Sequence, residues 1–332
     1  MIELAVIAVV GTALVYVGGT RFEAAADSLA SHYGLPAAVQ GAVVVAVGSS
    51  APELATALIA PLRHGEFELG VAVIIGSAVF NILVIPALAA LSTDGWIDST
   101  PKLVYKEAQF YMLAVSVFVL TLCFSVIYFP LGGGEGLLTR ELALLPLATY
   151  LLYVFIQYEE TVDGDLEVGV ADIDLGRSWL YFFGGIAVIG LGVEGLVVTA
   201  IELGDITGTN SYLWGLTAVA AATSLPDAVV SVTASRRERD VTSVANVFGS
   251  NVFDLLVVVP LAVLLSGSTA VDFTLAVPLL GYLVFSTVAL FAFMRTGYVL
   301  GRLESYGLLV IYAGFLGWLS LETLGAVDLL TI

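Results

Sequence analysis

Residues 48–58 read GSSAPELATAL and residues 76–88 read GSAVFNILVIPAL; further on, residues 222–232 read ATSLPDAVVSV and residues 249–261 read GSNVFDLLVVVPL. The two pairs are one pattern written twice. Pro52 maps onto Pro226 at an offset of 174 and Asn81 onto Asp254 at an offset of 173, so one residue of slippage separates the copies. Each half of the chain therefore carries the same architecture.

The surroundings of these stretches set the class. Of 332 residues, 59% are hydrophobic and 12% are charged, and the mean hydropathy is strongly positive. A soluble domain could not cover that much apolar surface. Apolar runs long enough to span a bilayer occur ten times, near 2–20, 38–60, 69–91, 108–129, 140–157, 179–202, 211–234, 242–265, 274–294 and 306–322. The expected fold is an all-α polytopic membrane protein of ten transmembrane helices. Five spans per half is odd, so the second half enters the membrane from the opposite side and the five-helix repeats are inverted. The expected organisation is a first repeat over 1–157, an acidic cytoplasmic linker over 158–177 and a second repeat over 178–332.

Basic residues orient the chain. With the N-terminus outside, the odd-numbered loops carry Arg21, Lys102, Lys106, Arg177, Arg236, Arg237, Arg239, Arg295 and Arg302, leaving only Arg63 and Arg140 on the other face. The expected location is the cell membrane, multi-pass, with both termini extracytoplasmic. The first run has no basic segment before it and no small-residue cleavage pattern after it, so it reads as a retained span. The net charge of −18 lies mostly in loops and termini and fits a high-salt setting; no nucleic-acid partner is expected. Within the linker, Asp163, Asp165 and Glu167 hint at a calcium loop. Val168 stands where such a loop needs glycine and Asp174 where it needs a bidentate glutamate, so a solvated acidic linker is the reading adopted. One cysteine, Cys123, excludes an internal disulfide, and His32 and His64 are too few for a histidine metal site.

Polar residues at the centres of four spans carry the chemistry. These are Ser49, Ser50 and Glu53; Ser77 and Asn81; Thr223, Ser224 and Asp227; and Ser250, Asn251 and Asp254. A carboxylate at the bilayer centre costs about 2.5–3.5 kcal/mol on insertion scales, and no Lys or Arg lies at matching depth for these three. A bound cation is the natural compensation. Ser49 and Glu53, Ser77 and Asn81, Thr223 and Asp227, and Ser250 and Asp254 are all four residues apart, so each pair shares one helix face. Hydroxyl, amide and carboxylate oxygens are the donors that Ca2+ and Na+ prefer. Pro52 and Pro226 cannot donate to the carbonyls of Gly48 and Ala222, which adds oxygens at matching points of the two halves. Taken singly, Ser50, Ser224 and Asn251 fit helix packing as well as ion contact. Glu194, in the sixth span, fits gating, helix packing or ion contact.

GSSAPE with GSAVFN, then ATSLPD with GSNVFD, resemble the two signature repeats of the cation/calcium exchanger superfamily, whose members include Na+/Ca2+ exchangers and K+-dependent Na+/Ca2+ exchangers. The resemblance covers the whole chain and is to compact prokaryotic members. It implies a secondary antiporter and not an enzyme, without catalytic residues or a resident cofactor, exchanging Na+ for Ca2+ by alternating access and extruding Ca2+. It implies ion ligands at Glu53, Asn81, Asp227 and Asp254, hydroxyl ligands at Ser49, Ser77, Thr223 and Ser250, and carbonyl donors at Ala46 and Ala220. It also implies that the first and sixth helices slide across the core. Ala222 and Ala78 depart from the family's usual Gly and Asn, and Asp254 with the GSAVFNILVIPAL run resembles K+-dependent members, so K+ enters as a possible third substrate. A single chain suffices for transport in such a design, with the lipid bilayer as its surroundings. An H+/Ca2+ antiporter is the alternative, because buried carboxylates also take protons. An intramembrane protease would need a GxGD aspartate or a Ser-His pair, and a channel would be expected to show one filter and not two inverted pockets.

Overall fold

The structure is a computed structural model that describes residues 1–35, 44–93, 96–98, 100–101, 103–162, 173–237 and 240–323. Eight helical stretches among these are long and apolar enough to cross a membrane: Ile2–His32, Phe67–Leu91, Tyr105–Tyr128, Arg140–Glu159, Leu175–Thr207, Ser243–Ser266, Phe273–Arg295 and Arg302–Thr323. A ninth, Ser211–Thr223 with Leu225–Arg236, is bent by 42°. The expected second span is described from residue 44 to 64 and its beginning lies outside the described residues.

The longest helices are α1, Ile2–His32, and its counterpart in the second half, Leu175–Thr207, with 31 and 33 residues. At about 1.5 Å per residue both exceed a hydrocarbon core of roughly 30 Å, so they tilt across it or project from it. They cross on glycines. A Cβ on Gly192 would lie 2.6 Å from the Gly11 carbonyl oxygen, and one on Gly18 would lie 2.9 Å from the Ile189 nitrogen. Small residues let backbones approach where lipid gives helices no hydrophobic reason to associate.

Between these helices and the lipid-facing outer helices lie the segments that carry the repeated motifs. In the first half these are α2 (Ala46–Ser49), α3 (Ala51–Ile59) and a π-helical turn, Ala60–His64, then α4 (Phe67–Leu83) and α5 (Ile85–Leu91). The outer helices of that half are α6 (Ala108–Tyr128) and α7 (Arg140–Val162). After α8, the Leu175–Thr207 helix, come α9 (Ser211–Trp214), a π turn over Gly215–Val219, α10 (Ala220–Thr223), α11 (Leu225–Arg236), α12 (Asp240–Phe253), a π turn over Asp254–Val258 and α13 (Val259–Ser266). The chain continues with α14 (Phe273–Arg295) and α15 (Arg302–Thr323). Protein encloses 89% of the Phe67–Leu91 span window and 83% of the Ser243–Ser266 window, against 22% for Arg302–Thr323. The signature helices are thus the centre of the bundle. Gly76 of α4 touches the second half so closely that a Cβ there would overlap the Leu216 carbonyl.

Among the described residues, five short strands occur in the connections, which the all-α expectation did not include. β1 (Trp96–Asp98) pairs antiparallel with β5 (Val299–Gly301), with Ile97 opposite Leu300. β2 (Pro130–Gly132), β3 (Glu135–Leu138) and β4 (Thr269–Asp272) form a second antiparallel sheet in that order. Counting from the predicted spans, the first sheet joins the third and ninth loops and the second joins the fourth and eighth. Side chains join loops of like parity as well. The Asp98 backbone N–H donates to Asp240 Oδ2 at 2.9 Å, Ser211 Oγ to Glu66 Oε2 at 3.1 Å, and the Tyr298 hydroxyl to that of Tyr105 at 3.3 Å.

Asp163, Asp165, Glu167 and Val168 of the linker lie outside the described residues. Asp174 is described and caps α8, its carboxylate accepting from the Arg177 backbone N–H at 3.1 Å. A short acidic side chain ahead of a helix satisfies one of its unpaired amide donors.

Candidate cation site

The two prolines decide the local geometry. Helical continuity stops at Ser50, between α2 and α3, and at Ser224, between α10 and α11. Pro52 and Pro226 each stand in the first turn of the new helix, where a missing N–H costs nothing. Glu53 and Asp227 follow immediately and occupy the same first turns, where the positive end of the helix dipole favours a carboxylate. In each half the short preceding helix ends at the break with its carbonyls toward it. The Ala46 carbonyl accepts from the Ser50 N–H at 3.0 Å and the Ser49 hydroxyl at 3.3 Å. The Ala220 carbonyl likewise accepts from the Ser224 N–H and the Thr223 hydroxyl, both at 3.1 Å.

Every residue named from the sequence as an ion ligand is buried: Ala46, Ser49, Glu53, Ser77, Asn81, Ala220, Thr223, Asp227, Ser250 and Asp254. Hydroxyls knit the two halves together across this centre. Ser77 Oγ lies 2.7 Å from Ser224 Oγ, and both donate toward Glu53 Oε1, at 3.3 and 3.4 Å. Ser49 Oγ lies 2.9 Å from Ser250 Oγ, and Ser50 Oγ donates to the Ser250 carbonyl at 3.5 Å. Asp227 and Asp254 are both within electrostatic range of Glu53.

The partners stop there. Glu53 Oε2, Asn81 Oδ1, Asp227 Oδ1 and both carboxylate oxygens of Asp254 are buried without a hydrogen-bond partner. The ion pairs among the described residues involve Glu194 and Glu107, not these three carboxylates. Buried oxygens in that state cost free energy, and a cation supplies what the protein withholds. No three acidic, His or Cys side chains among the described residues converge as a metal centre by themselves. A cation held here would take hydroxyl, amide and backbone oxygens beside the carboxylates, a mixture that hard cations accept.

Two neighbours of the site work through it. Asn81 Nδ2 donates to Asn251 Oδ1 at 3.0 Å, while Asn251 Nδ2 faces the Ala78 carbonyl at 3.3 Å and the Tyr111 hydroxyl at 3.4 Å. Asn251 thereby holds the Asn81 amide by its nitrogen and leaves Asn81 Oδ1 without a partner. Tyr111 escaped the sequence reading, because its span also carries Gln109, Ser116, Thr121 and Ser125 and nothing set its hydroxyl apart from theirs. Glu194, left open by the sequence, lies outside this centre. Its carboxylate binds Arg63 Nη1 at 3.1 Å and His64 Nε2 at 3.3 Å, tying α8 to the end of the π turn after α3.

The family described as sodium/calcium exchanger protein matches residues 3–159 and 177–321. Inner membrane protein YrbG of Escherichia coli K12 is 30% identical over 263 residues, covering 78% of each chain. A structure of the sodium-calcium exchanger NCX_Mj shares the fold with a TM-score of 0.61 at 21% identity, covering 96% of this chain and 99% of that one. The crystal structure of the H+/Ca2+ exchanger CAX gives 0.71 at 16% identity, covering 94% of this chain and 82% of that one. With nearly its whole length matched, this chain belongs to the sodium/calcium exchanger protein family.

Proposed function

We propose that the chain is a secondary antiporter that exchanges Na+ for Ca2+ by alternating access and extrudes Ca2+. The observation that carries this is the set of bare buried oxygens on Glu53, Asn81, Asp227 and Asp254, without a basic partner among the described residues. Ser49, Ser77, Thr223, Ser250 and the carbonyls of Ala46 and Ala220 complete the proposed ligand set. A flexible oxygen cage can hold one Ca2+ or several Na+, whereas Mg2+ demands a near-ideal octahedron and sheds water reluctantly. The parity of the loop contacts supports two inverted five-helix repeats, and the basic residues of the odd-numbered loops support both termini outside. Flux in reconstituted vesicles tests the proposal: an outward-directed Na+ gradient should drive 45Ca2+ uptake. Uptake indifferent to Na+ would overturn it.

A second coupling ion, K+ or H+, is favoured by the third carboxylate. Two carboxylates neutralise Ca2+, which leaves one for a monovalent ion or a proton. Asp254 is the one carboxylate of the three whose counterpart in the other repeat, Asn81, is an amide, so we assign it that part. Asp254→Asn should shift the Na+, K+ or pH dependence of exchange more than its apparent Ca2+ affinity. Loss of Ca2+ binding with unchanged monovalent-ion and pH dependence would refute the assignment.

A further inference from the structure

A cavity of about 180 Å3 opens beside the crossing of α1 and α8, away from the cation centre, and is lined by Val17, Gly18, Arg21, Tyr181, Gly184 and Val188 among others. Its two ends differ in chemistry. Toward the crossing, glycines and valines leave a smooth apolar slot, and the neighbouring Leu180 side chain is largely exposed on the helix surface. At the mouth stands Arg21 of α1, exposed, opposite Tyr181 of α8. Arg177, one turn earlier on α8, donates from Nε to the Tyr181 hydroxyl at 3.2 Å and covers the ring at 5.2 Å. Arg21 thus lines the opening from α1, and Arg177 of α8 stands against Tyr181, which lines it from the other helix. Neither arginine is ion-paired with a carboxylate among the described residues.

The depth of this opening follows from its neighbours. Trp179, Phe182 and Phe183 stack around one another on the same turns of α8. Clustered aromatics beside arginines mark the level where a membrane meets water. By the basic-residue bias of the loops, it is the cytoplasmic level. An occupant must then present negative charge to the arginines at the interface and a hydrocarbon chain to the slot below. Free phosphate offers only the charge and a neutral lipid only the chain.

We propose that this groove is a binding site for one anionic phospholipid of that leaflet, its phosphate held between Arg21 and Arg177 and an acyl chain laid along Val17, Gly184 and Val188. Arginine suits the role because its planar fork pairs with phosphate oxygens at two points. The lipid would bridge the two crossing helices at a point where their own contact is mostly backbone.

Native mass spectrometry of the protein released from nanodiscs of mixed phosphatidylglycerol and phosphatidylcholine tests this. Wild type should retain phosphatidylglycerol in preference to phosphatidylcholine, and Arg21→Gln or Arg177→Gln should each weaken that preference about fivefold. Arg21→Lys should keep much of it, and Arg295→Gln, a basic residue at the end of α14, should keep it all. Thermal melting of each variant separates loss of the site from loss of the fold. Unchanged retention in folded Arg21→Gln and Arg177→Gln would overturn the proposal. So would equal loss in Arg295→Gln, or displacement of the lipid by inorganic phosphate alone.

Discussion

A carboxylate inside a bilayer must be paid for by something, and in this protein the payment falls on a few atoms. Glu53 and Asp227 each begin a half-helix, so a helix end meets their charge, and no basic side chain among the described residues pairs with them. Replacing either with its amide removes a charge while keeping size and shape. Glu53→Gln or Asp227→Asn should abolish Ca2+ flux while the protein still inserts and purifies as wild type; transport at the normal rate in either variant would dismiss the site. Asn251 poses a different question, because it holds Asn81 through a 3.0 Å bond and is not counted among the proposed ligands. Loss of a residue that orients a ligand typically costs about 10–100-fold in metal affinity. Asn251→Ala should weaken Ca2+ binding by that order, as read by calorimetry or by the Ca2+ dependence of flux. Unchanged affinity would mean that Asn81 needs no support.

At the scale of elements, the α1–α8 crossing is where backbone meets backbone. Gly11, Gly18 and Gly192 leave no room for a methyl group, since even the Cβ of alanine at Gly192 would come within 2.6 Å of a carbonyl oxygen. Overpacking of this kind typically costs about 1–3 kcal/mol. Gly192→Ala should lower the melting temperature in detergent and slow exchange, with little change in Ca2+ affinity, because the proposed ligands stand on other helices. A variant that melts and transports as wild type would show that the two helices are not held at this distance. The π turn at Asp254–Val258 is a second element-scale feature. It begins at the proposed ligand Asp254, whereas Asn81 at the matching place sits in the α-helix Phe67–Leu83. Extra-residue turns of this kind recur at functional positions.

For the whole molecule the question is which side each loop occupies. Two small sheets and three side-chain bonds all join loops of the same parity, as strictly alternating crossings require. In the proposed orientation the odd-numbered loops, which hold most of the basic residues, face the cytoplasm. A cysteine introduced at Arg237, in a chain whose Cys123 is replaced, should react with a membrane-impermeant maleimide only from the cytoplasmic face. Labelling from outside would invert the orientation.

The sequence by itself determined the duplication, the membrane class, nearly all of the helical spans, the breaks before Pro52 and Pro226, and the buried polar positions. These are legible because each rests on a local rule: apolar length, the proline's missing N–H, and the expense of charge in lipid. The tertiary structure alone decided which faces meet. Asn251 reaches Asn81 across 170 positions, Ser77 reaches Ser224 across 147, and Glu194 reaches His64 across 130. No helical periodicity encodes such partners, so the sequence could not say that Glu194 belongs to Arg63 and His64, or that Tyr111 backs the site. The strands were hidden for the same reason. Three or four residues carry no β signature of their own, and β1 and β5, some two hundred positions apart, become strands only when the folded bundle brings them side by side.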